Sequence, residues 1–272
     1  MADAPAGRAV SPHRHAAVAD LGWRWIGTAL SYAVFGLGSV VLGLVAVPLV
    51  TVAIRDTPRR VACVRSLIGG AMRFFIRFAH GIRLMDWHCE GLERARAGES
   101  YLIVANHPTL IDAVFLLAQF PQADCVVKAG MVRNPFTRQL VRAADYIPNA
   151  DPVALLETSV ERLVAGRSLI LFPEGTRTAP GRLPALKPGA AAVAVRSGRR
   201  CLPVVIRCEP PTLSKSDPWY RIPRRRPHFS LAVQPPVAPS AVLDETLESR
   251  YAHRAFNAWL EAYFAARLEG VR

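Results

Sequence analysis

Asn106 to Asp112 reads NHPTLID and follows the apolar run YLIVA at 101 to 105. A histidine and a carboxylate are a base and its orienting partner in many catalytic pairs. On one continuous helix, five positions turn by about 500°, or about 140° net, and the two side chains diverge. The spacing works if His107 lies in a loop after a strand, Pro108 restricts that loop, and a helix beginning near Thr109 turns Asp112 back. Asp112 then accepts from one imidazole nitrogen, fixes the tautomer and leaves the other nitrogen as a base. Such a pair also serves as a plain structural hydrogen bond, so a second motif is required.

That motif is LILFPEGTRT at 169 to 178, which also follows an apolar run. Pro173 and Gly175 shape a turn whose backbone N–H groups can face an anion, and Arg177 offers a planar fork suited to phosphate. The competing reading is a surface loop with a solvated arginine. Two loops that each leave the C-terminal end of a parallel strand share one edge of the sheet, where open α/β sheets bind ligands.

The elements that must position these loops are legible from residue 85 onward. Apolar runs at 101 to 105, 124 to 128, 168 to 172, 201 to 206 and 228 to 233 alternate with helix-like segments at 110 to 120, 135 to 144, 152 to 165 and 188 to 197. A last helix is expected over 243 to 268. Strands alternating with helices predict an α/β domain with a mostly parallel sheet flanked by helices. No internal repeat is present.

Ahead of this domain, Trp25 to Ile54 contains no charged residue, a stretch longer than the roughly 20 residues that cross a hydrocarbon core. Trp23 and Trp25 flank Arg24 at its start as interfacial anchors do, and Arg55, Arg59, Arg60 and Arg65 crowd its far end. Gly36, Gly38, Gly43 and Pro48 allow one tilted crossing or a bent hairpin in a single leaflet. The arginine excess predicts a cytoplasmic-side main domain on an inner, cytoplasmic membrane. A cleaved signal peptide is not expected, because the run is too long and starts too late. Residues 66 to 84, with Arg73, Arg77 and Arg83 in a Phe-rich pattern, suit either a basic interfacial helix or an ordinary helix packed on the domain. The expected organisation is a disordered tail (1–20), membrane-inserted and interfacial helices (21–84), and a catalytic domain (85–272).

Composition leans toward one core plus a membrane segment. Half of the residues are apolar (51%), mean hydropathy is +0.19, and the formal charge is +13 with a pI near 10.4, which favours anionic partners. Five cysteines, at 63, 89, 125, 201 and 208, form no CxxC pair and no zinc spacing, so free thiols and no metal are expected. The basic stretch EPPTLSKSDPWYRIPRRRPHF (209 to 229) places Trp219 and Tyr220 beside Arg221, Arg224, Arg225 and Arg226, as a lipid-facing lip or a dock for an acidic carrier protein. No nucleic-acid-binding module accompanies these charges, and no nucleic-acid partner is expected.

The pair NHxxxxD and FPEGTR, in this order, resembles the glycerolipid acyltransferase family, the 1-acyl-glycerol-3-phosphate acyltransferases and relatives. The residues that carry the resemblance are Asn106, His107 and Asp112, then Phe172, Pro173, Glu174, Gly175, Thr176 and Arg177, and the likeness runs over about 85 to 240. It implies acyl transfer from an acyl-CoA or acyl-carrier-protein thioester to a lysophospholipid hydroxyl in a membrane, by default that of 1-acyl-glycerol-3-phosphate. It further implies His107 as general base, Asp112 as its orienter, the Gly175 turn as oxyanion donor, and Asn106, Glu174, Thr176, Arg177 and Lys128 as substrate-binding residues. Neither a covalent acyl-enzyme nor a metal or other cofactor is implied. Where family members often read Ile-Asp-Arg, this chain has Tyr146, Ile147, Pro148 and Asn149, so one expected phosphate ligand is missing; Lys128, Arg133, Arg138 and Arg142 lie nearby. LPVVIR (202 to 207) resembles a fourth family block through Pro203. The departure at Asn149 leaves open an acyltransferase for another acceptor, such as a lyso-ornithine lipid or an aryl-polyene product. A silent membrane-bound lipid or carrier-protein binder is the reading from another class.

Overall fold

The computed structural model describes residues 12–135, 137–215, 217–218, 220–244 and 248–269. The chain enters as α1 (Pro12–Val41), passes through a π-helical turn at Leu42–Ala46 and continues as α2 (Val47–Ala53). Pro48 explains the π turn. It lacks the N–H that a regular helix directs to the carbonyl four residues back, and its ring crowds that carbonyl, so the ladder widens just before it. Asp20–Ala53 is long and apolar enough to cross a membrane, and only 11% of its most apolar stretch is buried within the protein. Residues 12 to 20, expected as tail, belong to α1 instead, and 1 to 11 lie outside the described residues.

The chain does not reverse inside Trp25–Ile54. It turns at Ile54 and Arg55, and α3 (Thr57–Gly81) returns along α1. Asp56 caps α3 by accepting from the Arg59 N–H at 2.9 Å, with Pro58 in the first turn. Phe35 meets Phe75 edge-on at 5.3 Å between centroids, and Trp23 Nε1 donates to the Ile82 carbonyl at 2.7 Å. One face of α3 packs on the domain, as the ordinary-helix reading of 66 to 84 expects. Ile68, Ile76 and Ala79 are buried, Gly69 passes so close to Pro121 that a Cβ would lie 2.5 Å from it, and Arg73 donates to the Ala118 carbonyl. Phe74 and Arg77 face outward.

The chain continues through β1 (Asp86–Glu90), β2 (Leu102–Ala105), α4 (Asp112–Gln119), β3 (Asp124–Val127), α5 (Ala129–Arg133), α6 (Arg138–Ala143), β4 (Ile147–Pro148), α7 (Pro152–Val164), β5 (Leu169–Leu171), α8 (Gly189–Ser197), β6 (Cys201–Glu209), β7 (His228–Val233) and α9 (Ser249–Glu269). The seven strands are ordered β1-β7-β6-β2-β5-β3-β4, and every pairing is parallel except β6 with β7. The mostly parallel sheet is as expected. β2 is buried on both faces, the mark of an inner parallel strand. Its alternate residues divide between two cores: Ile103 and Ala105 join α3 and α4, while Leu102 and Val104 join α7, α8 and α9. Leu117 lines the outer side of α4, facing α3.

Three boundaries depart from the sequence reading. The helix expected over 135 to 144 is confined to α6, with the short α5 ahead of it; Pro135, which cannot donate inside a helix, lies between the two. The last helix begins at Ser249, after a 3-10 turn at Pro239–Ala241, rather than at Leu243. β1 and β4 have no counterpart in the sequence reading; DWHCE is half polar because β1 is an edge strand, and β4 has two residues.

α3 is pinned to the domain by ions. Arg65 is buried; it donates to the carbonyls of Ala144 and Gln122 and to Asp124 Oδ1, an oxygen that Arg167 also reaches. Arg162 and Arg167 both pair with Asp145, which extends the cluster to the start of β4.

Candidate active site

β2 and β5 are neighbours in register, so the loops that leave their C-terminal ends lie side by side. His107 is in the first loop, and α4 begins at Asp112 itself rather than near Thr109. His107 Nδ1 lies 2.8 Å from Asp112 Oδ2, and the same oxygen accepts from the Thr109 N–H at 2.7 Å. The Thr109 hydroxyl donates to the other carboxylate oxygen. Asp112 thus reaches back three residues, as the carboxylate of a capping box does, and this closes the loop around the histidine. Because Asp112 offers only lone pairs, the imidazole donates through Nδ1 and keeps Nε2 as an acceptor. Burial pushes the Asp112 carboxyl up, against the pull of His107 and Thr109. The ring stacks on Phe172 at 4.3 Å between centroids, which sets its plane.

Glu174 joins the two loops. Its carboxylate is buried and accepts from the His107 N–H at 2.9 Å and from the Thr178 hydroxyl, while Thr178 N donates to the His107 carbonyl at 2.9 Å. Burial raises its pKa, and the bonds from Thr178 and His107 oppose the rise. Asn106 is the second brace. Its carboxamide donates to the Ile206 carbonyl at 2.8 Å and accepts from the Ile206 N–H at 2.7 Å, extending the β2–β6 ladder by one side chain. These polar atoms are committed to the Ile206 and His107 backbone and to the Thr178 hydroxyl, so Asn106 and Glu174 brace the two loops.

The remaining candidate residues surround a cavity of about 560 Å³ between α1, α3, α4 and the sheet edge. His107, Gly175, Thr176, Arg177 and Lys128 all line it, and its walls are mostly apolar, with Phe35, Met72, Phe75, Val114 and Leu117 among them. Gly175 sits at φ +67°, a conformation that a side chain would strain. Its own N–H donates to the Phe172 carbonyl, so this turn does not present the Gly175 donor to an oxyanion. The N–H groups of Thr176 and Arg177 have no acceptor among the described residues. Arg177 Nη1 donates to the carbonyls of Leu213 and Ser214 at 2.9 and 3.0 Å, so one edge of its fork fastens the 209–229 stretch. Lys128 is exposed on the cavity rim. Asn149, also on the rim, accepts from the Ala129 N–H at 2.9 Å and donates through its own N–H to the Val127 carbonyl, a bracing task that leaves no cation at that place.

Sequence reasoning missed the contribution of α1. Thr28, Ser31, Tyr32 and Phe35 line the cavity, so this helix is a wall of the site as well as an apolar segment. Arg24, expected as an interfacial anchor, is 1% exposed. It donates to the carbonyls of Pro223 and Arg224 at 2.6 and 2.7 Å and pairs with Asp20. A charge abutting an otherwise uncharged run was the available signal. The 209–229 stretch is therefore locked to α1 through Arg24 and to the α3–β1 junction through Arg226, which pairs with Asp86 at 2.9 Å. Trp219 lies outside the described residues. No cluster able to hold a metal occurs among the described residues.

Residues 86–207 match the family model described as Acyltransferase. The chain is 31% identical over 123 residues to a chloroplastic 1-acyl-sn-glycerol-3-phosphate acyltransferase of Arabidopsis thaliana, covering 43% of this chain and 35% of that protein. It is 33% identical over 113 residues to the 1-acyl-sn-glycerol-3-phosphate acyltransferase of Helicobacter pylori, covering 39% and 47%. The matched stretches thus span less than half the length of these curated relatives. The crystal structure of the 1-acyl-sn-glycerophosphate acyltransferase PlsC from Thermotoga maritima superposes with a TM-score of 0.65 at 22% identity, over 89% of this chain and 98% of that one, so the two share a fold. With both motifs inside the matched residues and joined in one site, the 86–207 region belongs to the acyltransferase family.

Proposed function

We propose that the protein is a membrane-bound O-acyltransferase that moves an acyl group from a thioester donor to the hydroxyl of a lysophospholipid, with 1-acyl-glycerol-3-phosphate as the default acceptor. The observation that carries this reading is the His107–Asp112 pair opening on an apolar cavity. His107 Nε2 takes the proton of the acceptor hydroxyl as its oxygen attacks the thioester carbonyl. The resulting oxyanion is stabilised by preorganised donors, for which the Thr176 and Arg177 N–H groups are the candidates. Collapse expels the thiolate, which takes the proton back from the imidazolium, so the base is regenerated and no covalent enzyme intermediate forms. Asp112 stabilises the transient imidazolium and holds its tautomer. The apolar walls suit the hydrocarbon chain, and Lys128 with the free edge of Arg177 suits an acceptor phosphate at the rim.

Asp20–Ala53 supports membrane insertion, and the arginines at 55, 59 and 60 support a catalytic domain on the cytoplasmic face. A second reading, an acyltransferase for an unphosphorylated amphiphile, is favoured by Asn149, which braces the rim without supplying a cation. The test is the purified protein in detergent, offered lysophosphatidate, other lysophospholipids and lyso-ornithine lipid with an acyl-CoA or an acyl-carrier protein, with products read by mass spectrometry. Diacylated product from lysophosphatidate supports the first reading. Product from unphosphorylated acceptors alone replaces it with the second.

A further inference from the structure

α1 turns one face to the active-site cavity. Arg24, Thr28, Ser31 and Phe35 line it at steps of four, three and four residues, the spacing of a single helical stripe. The stripe changes character along its length. Its first part carries a guanidinium and two hydroxyls, and its continuation carries Phe35 and Leu42, with Ser39 between them spending its hydroxyl on the Phe35 carbonyl. A wall graded in this way matches an amphiphile laid along the helix, with its head at Arg24 to Ser31 and its tail toward Leu42.

Two polar groups at the head end have no partner. A helical serine or threonine often turns its hydroxyl onto the carbonyl four residues back, as Thr28 does onto Arg24 and Ser39 onto Phe35, both at 2.8 Å. Ser31 does not. It is 5% exposed, and among the described residues its hydroxyl has no hydrogen-bond partner. Arg24 gives its two terminal nitrogens to the Pro223 and Arg224 carbonyls, while its buried Nε–H has no acceptor among the described residues. A buried donor without an acceptor is costly, and a ligand that supplies an oxygen relieves the cost. The cavity as a whole favours an anion: Arg24, Lys128, Arg177 and Arg221 line it, and no Asp or Glu among the described residues does. Tyr32, beside Ser31, lies within electrostatic reach of Arg177, so the polar end of the stripe looks toward the cation of the FPEGTR loop.

We propose that α1 supplies part of the acceptor site, with the Arg24 Nε–H and the Ser31 hydroxyl binding the phosphate of the acceptor headgroup and selecting a phosphorylated amphiphile. The inference rests on the acyl-transfer reading above and narrows its two acceptor classes to one. Asn149 brings no cation to the rim, and Arg24 brings one from a helix that lies outside the 86–207 match. Both side chains act by positioning the acceptor; neither reaches the proton that His107 takes. The same contacts tie headgroup binding to the seating of α1 on the 209–229 stretch, because Arg24 holds both.

The test begins without a thioester, so that no turnover is needed. Calorimetry on the full chain in detergent measures binding of lysophosphatidate and of the monoacylglycerol with the same chain, which lacks only the phosphate. The wild type should prefer lysophosphatidate by at least about tenfold, the worth of one hydrogen bond to a charged group. Ser31→Ala should weaken lysophosphatidate binding several-fold, and Arg24→Met by at least about tenfold, with monoacylglycerol binding unchanged in both. Ser31→Thr, which keeps the hydroxyl, should restore affinity. Thr51→Ala, which removes an α2 hydroxyl bonded to the Val47 carbonyl and away from the cavity, should match the wild type. If Arg24 only fastens the 209–229 stretch, Arg24→Met loses both lipids together. That result, an unchanged affinity in Ser31→Ala, or a wild type with no phosphate preference overturns the proposal. Under turnover, the same two variants should raise the lysophosphatidate KM and leave the donor KM and kcat unchanged; a fall in kcat with the acceptor KM intact also overturns it. Absence of transfer with every donor and acceptor counts against the acyl-transfer reading, and the binding comparison then judges the α1 contacts by itself.

Discussion

Glu174→Ala separates a bracing role from a substrate-binding one. The carboxylate is 4% exposed and accepts from the His107 N–H and the Thr178 hydroxyl, so its removal strands a buried backbone donor next to the base. An unsatisfied buried donor costs about 1–3 kcal/mol, and hydrogen bonds to a charged group are worth about 1.5–3 kcal/mol each. The loop relieves that penalty by moving, and a displacement of about 1 Å at a catalytic group costs about 100-fold in rate. The expected outcome is therefore a kcat lower by about two orders of magnitude with an acceptor KM nearly unchanged. Glu174→Gln retains an oxygen for the His107 N–H, and the Thr178 hydroxyl can turn to accept from the amide. It loses mainly charge assistance, which about halves the strength of these bonds, and is expected to recover most of the rate. Steady-state acyl transfer to lysophosphatidate, with donor and acceptor varied separately, reads both quantities. A large rise in acceptor KM with kcat intact, unrelieved by glutamine, would refute the bracing role and restore Glu174 as an acceptor contact.

Arg65→Met leaves Asp124 buried with only Arg167 beside it; breaking a buried ion pair costs about 3–5 kcal/mol, so thermal unfolding in detergent should shift down by roughly 6–20 °C at 2–4 °C per kcal/mol, and an unchanged Tm contradicts the pinning of α3. Burial would raise the Asp145 carboxyl, but Arg162 and Arg167 outweigh it and hold it below the ordinary range. Because the folded value is depressed, the stability Asp145 lends is present above about pH 4, its unfolded value, and is lost as pH falls through the folded one. Denaturant unfolding between pH 6 and 3 should lose less stability for Asp145→Asn than for wild type, and identical pH slopes would contradict this. Arg177→Lys keeps the charge but gives up the fork that reaches the Leu213 and Ser214 carbonyls. It should raise the KM of a phosphorylated acceptor and speed proteolysis of the 209–229 stretch, whereas a change in KM alone would place the whole fork on substrate.

The sheet was legible because its central strands β2 and β5 are short, wholly apolar and separated by helices. LIVA and LIL at β2 and β5 are buried at every position. β1 was not, since DWHCE owes its strand conformation to parallel pairing with β7, more than 130 residues later, and carries no local pattern of its own. The His107–Asp112 contact could be reasoned from spacing because both ends lie in one loop and one helix start. The roles of Asn106 and Glu174 could not. Each is fixed by a backbone partner about 70 to 100 positions away, and a carboxylate in a motif reads the same whether it faces a substrate or a buried N–H. The part of α1 in the site was hidden for a similar reason. Its apolar composition announces a membrane helix, and only packing against α3 and the Arg24 contacts with Pro223 and Arg224 place Thr28 to Phe35 along the cavity.

The most direct test of the account is acyl transfer by His107→Ala, measured under single-turnover conditions beside Asp112→Asn with membrane association and Tm as controls. General-base loss costs on the order of 100-fold or more, so His107→Ala should lose nearly all turnover while keeping its fold, and Asp112→Asn should follow it closely by allowing the wrong tautomer. Wild-type turnover by folded His107→Ala protein would contradict the His–Asp base and the reading built on it.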